Sequence, residues 1–175
     1  RLLRTRRDAD LATAWQPGEI GALTQLDRFC ETGLTDYAQW RDWPGRAGVS
    51  RLSPHLHFGE LSSRQVWAAA ALALGSDPLD NKGAAAYLRE IGWREFAHYV
   101  LYHWPHTPEQ PLQVRFAAYR WRDNYADLLR AWQQGQTGYP LVDAGMRQLW
   151  QTGWMHNRVR MLVASFLIKN CRIPW

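Results

Sequence analysis

The sequence predicts an all-α fold, and three observations carry the prediction. Apolar residues recur at helical spacing in most segments, no stretch alternates apolar and polar residues long enough to build a sheet, and Gly or Pro punctuates the chain at helix-length intervals. Residues 19–31 carry Leu23, Leu26 and Phe29 three apart and stop at Gly33. Residues 36–43 read as a short helix closed by Pro44 and Gly45, and Pro54 suits the first turn of another, with Ser53 as its cap. Ser62 ahead of Gln65 has the spacing of a capping box and opens residues 62–74, which end at Gly75. The longest helical stretch, 83–104, is stopped by Pro105, and the loop "PHTPEQPLQ" leads on to Trp121. Helices follow at 125–134, 141–151 and 155–171. Residues 43–51 and 105–121 form loops long enough to be functional.

Composition bounds the function. A chain of 175 residues with 46% hydrophobic content suits one globular domain. No apolar run approaches a membrane span, and residues 1–10 are charged where a signal peptide would be apolar, so a soluble, cytoplasmic protein is expected. Cys30 and Cys171 stand far apart in apolar surroundings without nearby His ligands, which reads as two core thiols and no metal. His55 and His57, spaced i, i+2 with no third ligand nearby, do not change that. A net charge of +5 alone means a solvated surface, but eleven Trp are well above the usual frequency, and basic charge interleaved with Trp and Tyr suits a surface for phosphates and stacked bases.

Three segments carry candidate chemistry. In "GWMHNRVRMLVASFLIKN" a His, an Asn and two Arg crowd the head of an otherwise apolar helix, the pattern of a pocket for something polar, planar or anionic. In "GVSRLSPHLHFGELSSRQVW" the hydroxyls and guanidinium of Ser50, Arg51 and Ser53 precede a helix start, a cradle for phosphate, although capping alone accounts for each Ser. In "YLREIGWREFAHYV" Glu90 and Trp93 share a helix face and Glu90 is spaced to pair with Arg94. By itself that last segment reads as an ordinary helix with a core Trp and a surface ion pair.

Taken together the segments resemble the helical FAD-binding domain of the photolyase and cryptochrome family, and within it class I cyclobutane pyrimidine dimer photolyases. The likeness is carried by "DYAQWRDWP", "SRLSPHLHFGELSSRQVW", "REIGWREFAHY", "WQQGQTGYPLVDAGMRQLWQTGWMHNRVRMLVASFLIK" and the terminal Trp175. It runs from about residue 23 to residue 175 in the order and spacing of the family. The resemblance implies a flavoenzyme that repairs ultraviolet-damaged DNA with blue light, with FAD as cofactor and DNA containing pyrimidine dimers as partner. Tyr37, Val49, Ser50, Arg51, Leu52, Ser53, Tyr87 and Arg160 would hold FAD, the 49–53 stretch around its phosphates and Arg160 beside the flavin ring. The flipped lesion would enter a pocket of Glu90, Trp93, Asn157 and Met161, with Trp93 stacking on a pyrimidine. Arg41, Arg94 and Arg158 would lie at the DNA-facing surface. Single-electron chemistry needs no nucleophile or general base, so a protonated Glu90 or the Asn157 amide would serve by donating hydrogen bonds to a pyrimidine radical anion. Trp121 and Trp175 match the outer and middle members of the electron chain that reduces the flavin.

The resemblance also carries departures. The family's N-terminal α/β domain, with its folate or deazaflavin antenna chromophore, has no counterpart in these residues. Nor does the segment that brings an Asp pair and an Asn to the flavin ring. The expectation is a partial FAD-binding domain over residues 1–175, incomplete at its C-terminal end, binding FAD weakly by itself, from a monomeric full-length parent. Plant cryptochromes resemble the same stretches but typically lack the pocket Trp, which makes a blue-light photoreceptor the alternative. A cofactor-free helical nucleic-acid-binding module fits the charge but leaves the motif order unexplained.

Overall fold

The computed structural model describes residues 11–174, so residues 1–10 and Trp175 lie outside it. Its regular elements are helical, and no strand occurs among the described residues. The chain forms two compact units, Trp15–Val100 and a second built from residues 101–174 with residues 11–14.

In the Trp15–Val100 unit, helix α1 (Glu19–Thr32) buries Leu26 and Phe29 as the sequence spacing predicts, but Ala22 takes the place expected of Leu23, which is 38% exposed, and Gly33 closes the helix by donating to the Phe29 carbonyl. Helix α2 is a single turn, Tyr37–Trp40, followed by tight turns through Arg46 in place of the longer predicted helix. Helix α3 (Ser53–His57) is equally short, and its N-cap is Leu52 without a side-chain cap, so Ser53 does not cap it. Helix α4 (Ser63–Leu74) has the expected capping box of Ser62 and Gln65 and ends on Gly75 at φ 63°. Asn81 accepts from the Ala84 amide at the start of α5 (Lys82–His103), and the first half of α5 buries Ala84, Ala86, Tyr87 and Leu88. The core is completed by Leu34, Leu52, Leu56, Leu61 and Val66, with the rings of Phe29, Tyr37 and Tyr87 in mutual contact at 4.6 to 5.9 Å between centroids.

In the second unit, α6 (Ala126–Gln134), α7 (Pro140–Thr152) and α8 (Asn157–Ser165) enclose Val142, Met146, Met155, Val159 and Val163, with Trp132 and Phe166 packed against them. Pro140 opens α7 and Gly153, at φ 71°, ends it, as the N-terminal Pro and C-terminal Gly preference predicts. The "TGYP" turn before α7 is held by one side chain. Asp143 accepts from the Thr137 amide at 2.8 Å, the Thr137 hydroxyl at 2.6 Å and the Gly138 amide at 3.0 Å. Burial pushes this carboxyl up, but those three donors and Arg147 outweigh it and hold it below the ordinary Asp range. The predicted helix over 155–171 is divided: α8 gives way to a π-helical turn, Phe166–Asn170.

Candidate functional site

Part of the crowd of donors at the head of α8 is a helix cap. His156, 1% exposed, sits at the N-cap, where its Nδ1 accepts from the Arg158 amide at 3.2 Å and its carbonyl accepts from the Arg160 amide. The side chains that follow are accessible: Asn157, Arg160 and Met161 are exposed and Arg158 is half-buried. Arg158 Nη1 lies 3.6 Å from the Met161 sulfur, and Arg160 Nη2 donates to the Met155 carbonyl at 3.4 Å.

The residues expected to hold a cofactor in the Trp15–Val100 unit do come together. Tyr37, Ser50, Leu52 and Tyr87 are buried, Val49 is half-buried against the same core, and Arg51 and Ser53 on either side of Leu52 are exposed. Arg51 takes the left-handed conformation at φ 55°, which is costly for a side chain of its size and marks a segment held by its surroundings. The Tyr87 phenol is buried without a well-formed hydrogen bond. Burial pushes it far above its ordinary range, and the nearby Ser50 hydroxyl opposes that shift only in part.

The Ser50–Ser53 segment is braced from behind. His55, 4% exposed, sits on α3 with its Nδ1 2.6 Å from Glu60 Oε2, while Glu60 Oε1 accepts from the Gly18 amide at 2.8 Å. The Gln25 amide donates to the Ser50 carbonyl at 2.8 Å. Nothing in the sequence singles out Glu60 or Asp143. In hindsight, each is a carboxylate within six residues of a Gly- or Pro-marked turn, the one signal that points to them.

On α5 the ion pair expected between Glu90 and Arg94 is not formed. Glu90 Oε1 instead meets Arg41 Nη1 at 2.7 Å, and Arg94 is drawn to Glu95 and to the Leu56 carbonyl. Trp93, a core residue in the plain helix reading, is 63% exposed, with its ring edge-on to Phe96 at 5.7 Å. In the second unit Trp121 is half-buried against Tyr119, 4.7 Å between centroids. Trp175 falls outside the described residues. No group of three or more His, Cys, Asp or Glu that could hold a metal occurs among the described residues, and no described helix is long and apolar enough to cross a membrane.

Residues 87–175 match the family model of the FAD-binding domain of DNA photolyase. The chain belongs to that family. A deoxyribodipyrimidine photo-lyase of Agrobacterium fabrum is 46% identical over all of this chain and 36% of its own length. Cryptochrome-2 of Arabidopsis thaliana is 43% identical over 96% of this chain and 28% of its own. The crystal structure of a bacterial class III photolyase from Agrobacterium tumefaciens superposes with a TM-score of 0.91 at 46% identity, covering all of this chain and 36% of that one. The chain therefore spans about a third of the length of the relatives it matches. Photolyases and cryptochromes match at similar identity, so overall likeness does not separate repair from light sensing.

The family's cofactor is FAD, and the residues present fit it. Exposed Arg51 and Ser53 offer a charge and a hydroxyl to a diphosphate on a fixed backbone, and the Tyr87 hydroxyl is a buried polar atom in want of a partner beside Ser50.

Proposed function

We propose that the chain is the FAD-binding part of a deoxyribodipyrimidine photolyase, which splits cyclobutane pyrimidine dimers in DNA under blue light. FAD, when bound and photoexcited, supplies the single electron that opens the cyclobutane ring. What this chain contributes is binding and environment. Arg51 and Ser53 hold the cofactor phosphates, with Tyr37, Val49, Ser50, Leu52 and Tyr87 as the wall beneath them. Trp93 offers an indole face for a flipped pyrimidine, with Glu90 at its polar edge. For Asn157, Arg158, Arg160, Met161, Trp121 and Trp175 the roles in lesion contact, flavin contact and electron supply rest on the sequence motifs.

The observation that carries this reading is the place of Trp93 in the family-matched residues 87–175, three residues from Glu90 on one helix. Exposure by itself does not single it out, since Trp43 and Trp150 are exposed as well, but its 63% exposed indole is open to a ligand. Stacking on a base is the use that suits a Trp beside a hydrogen-bonding group. The second reading, a cryptochrome-type photoreceptor, stands beside it because Arabidopsis cryptochrome-2 matches at 43% identity, close to the photolyases. Blue-light repair of a thymine-dimer oligonucleotide by the FAD-loaded full-length protein decides between them. Restoration of intact thymines only in the light supports the photolyase, and light-driven flavin reduction without repair supports the photoreceptor.

A further inference from the structure

We infer that Arg122 is a positioning residue for electron supply, fixing Trp121 against the segment that leads to Trp175. This rests on the reading of Trp121 and Trp175 as members of the chain that feeds the flavin. In that reading Trp121 gives up one electron, which passes by way of Trp175 towards FAD, and a thiol reductant in solution returns one electron to Trp121. Transfer between aromatic rings falls steeply as the gap widens, so a residue that fixes the gap governs the rate.

Three observations carry the inference. First, the chain around Trp121 has little packing of its own. Residues 112–120 and 122–124 are exposed, and Trp121 between them is half-buried. Second, Arg122 ties this stretch down at two points. Its amide donates to the Arg172 carbonyl at 2.8 Å, and its Nε donates to the Cys171 carbonyl at 3.1 Å. Two donors of one residue on consecutive carbonyls fix direction as well as distance, and the guanidinium bond is charge-assisted.

Third, the segment that receives Arg122 is itself anchored. The Cys171 amide closes the π-helical turn by donating to the Phe166 carbonyl at 3.0 Å, and the Ile173 amide donates to the Leu167 carbonyl at 3.1 Å. Cys171 and Ile173 are buried, and Arg172 between them takes the left-handed conformation at φ 56°, which a side chain of its size adopts where its surroundings impose it. Arg122 therefore joins an exposed stretch to a fixed one, and the ring it places is that of the residue next to it. Because Arg122 is exposed, losing its side-chain bond should cost the fold little.

The test uses the FAD-loaded full-length protein and two variants that match Arg122 out to Nε. In Arg122→Gln the amide nitrogen stands where Nε stood and still donates, whereas in Arg122→Met a methyl group stands there and does not. Under blue light with a thiol donor, flavin photoreduction per bound FAD should be several-fold slower in Arg122→Met and close to the parent in Arg122→Gln. Repair of a thymine-dimer oligonucleotide after chemical reduction of the flavin bypasses the Trp chain and should be equal in all three. Hydrogen exchange in the dark should be faster at residues 121–123 in Arg122→Met alone, a readout independent of turnover. Arg122→Leu, which also lacks the donor, replaces a Met variant that melts early.

Unchanged photoreduction in Arg122→Met overturns the inference. So does equal slowing in the Gln and Met variants, which would assign the effect to charge rather than position. Trp121→Phe tests the reading beneath: photoreduction as fast as the parent's removes Trp121 from the electron chain, and the inference with it. A chemically reduced parent that repairs no dimer overturns the photolyase reading and leaves the role of Arg122 in flavin reduction standing.

Discussion

His55 and Glu60 meet at 2.6 Å, and the second Glu60 oxygen accepts from the Gly18 amide, so one carboxylate ties helix α3 to the chain ahead of α1. The His55 hydrogen bond, then the Gly18 amide, hold the Glu60 carboxyl below the ordinary Glu range. A depressed carboxylate pKa contributes stability that is present above the unfolded value, about 4.3, and is lost as pH falls through the folded value. Acid titration of stability should show that loss below the ordinary Glu range, and Glu60→Gln should flatten it. An unchanged acid limb in the variant would mean the pair contributes nothing to folding.

Gly48 is buried where the loop after α2 folds back onto Trp40, the last residue of that helix. A Cβ at this position would lie 2.6 Å from Trp40 Cβ and 3.2 Å from the Trp40 carbonyl carbon. Gly48→Ala must move the backbone that leads into Val49–Ser53, so it should cost about 1 to 3 kcal/mol in unfolding and weaken FAD binding together. Flavin fluorescence titration and a denaturant melt on the same sample check it. A stability loss with unaltered FAD affinity would detach this loop from the cofactor.

Tyr87→Phe separates folding from binding. Removing a buried hydroxyl that lacks a well-formed partner should leave the apo protein as stable as before, or up to about 1 kcal/mol more so. If that hydroxyl serves FAD, affinity should fall several-fold in the same variant. A drop in apo stability of about 1 kcal/mol or more would instead show that the Ser50 contact is a formed hydrogen bond.

Trp93→Ala should weaken binding to dimer-containing DNA by about 1 to 3 kcal/mol, the worth of one stacked base, and leave FAD content nearly unchanged. Because the indole is 63% exposed, thermal stability should change little. Equal affinity of variant and parent for damaged DNA would remove Trp93 from the lesion site.

The sequence by itself determined most of the helices, because their causes are local, although the helix read at 36–43 is a single turn and the one read at 155–171 breaks into a π-helical turn. The spacing of Leu26 and Phe29, the Ser62 and Gln65 box, and the stops at Gly75 and Gly153 each act within a few residues of the backbone they shape. The family was legible for the same reason, since "TGYPLVDAGMRQL" and "GWMHNR" are contiguous strings. Tertiary structure alone decided which charges meet and which rings stay wet. Glu90 has Arg94 one turn away on its own helix, yet Arg41, brought in by another helix, takes it at 2.7 Å, while Arg94 turns to Leu56 and Glu95. Tyr87 and Trp93 lie on the same helix, but one is 4% exposed and the other 63%. Helical period says which residues share a face, but burial and ion pairing depend on what the rest of the chain places opposite that face.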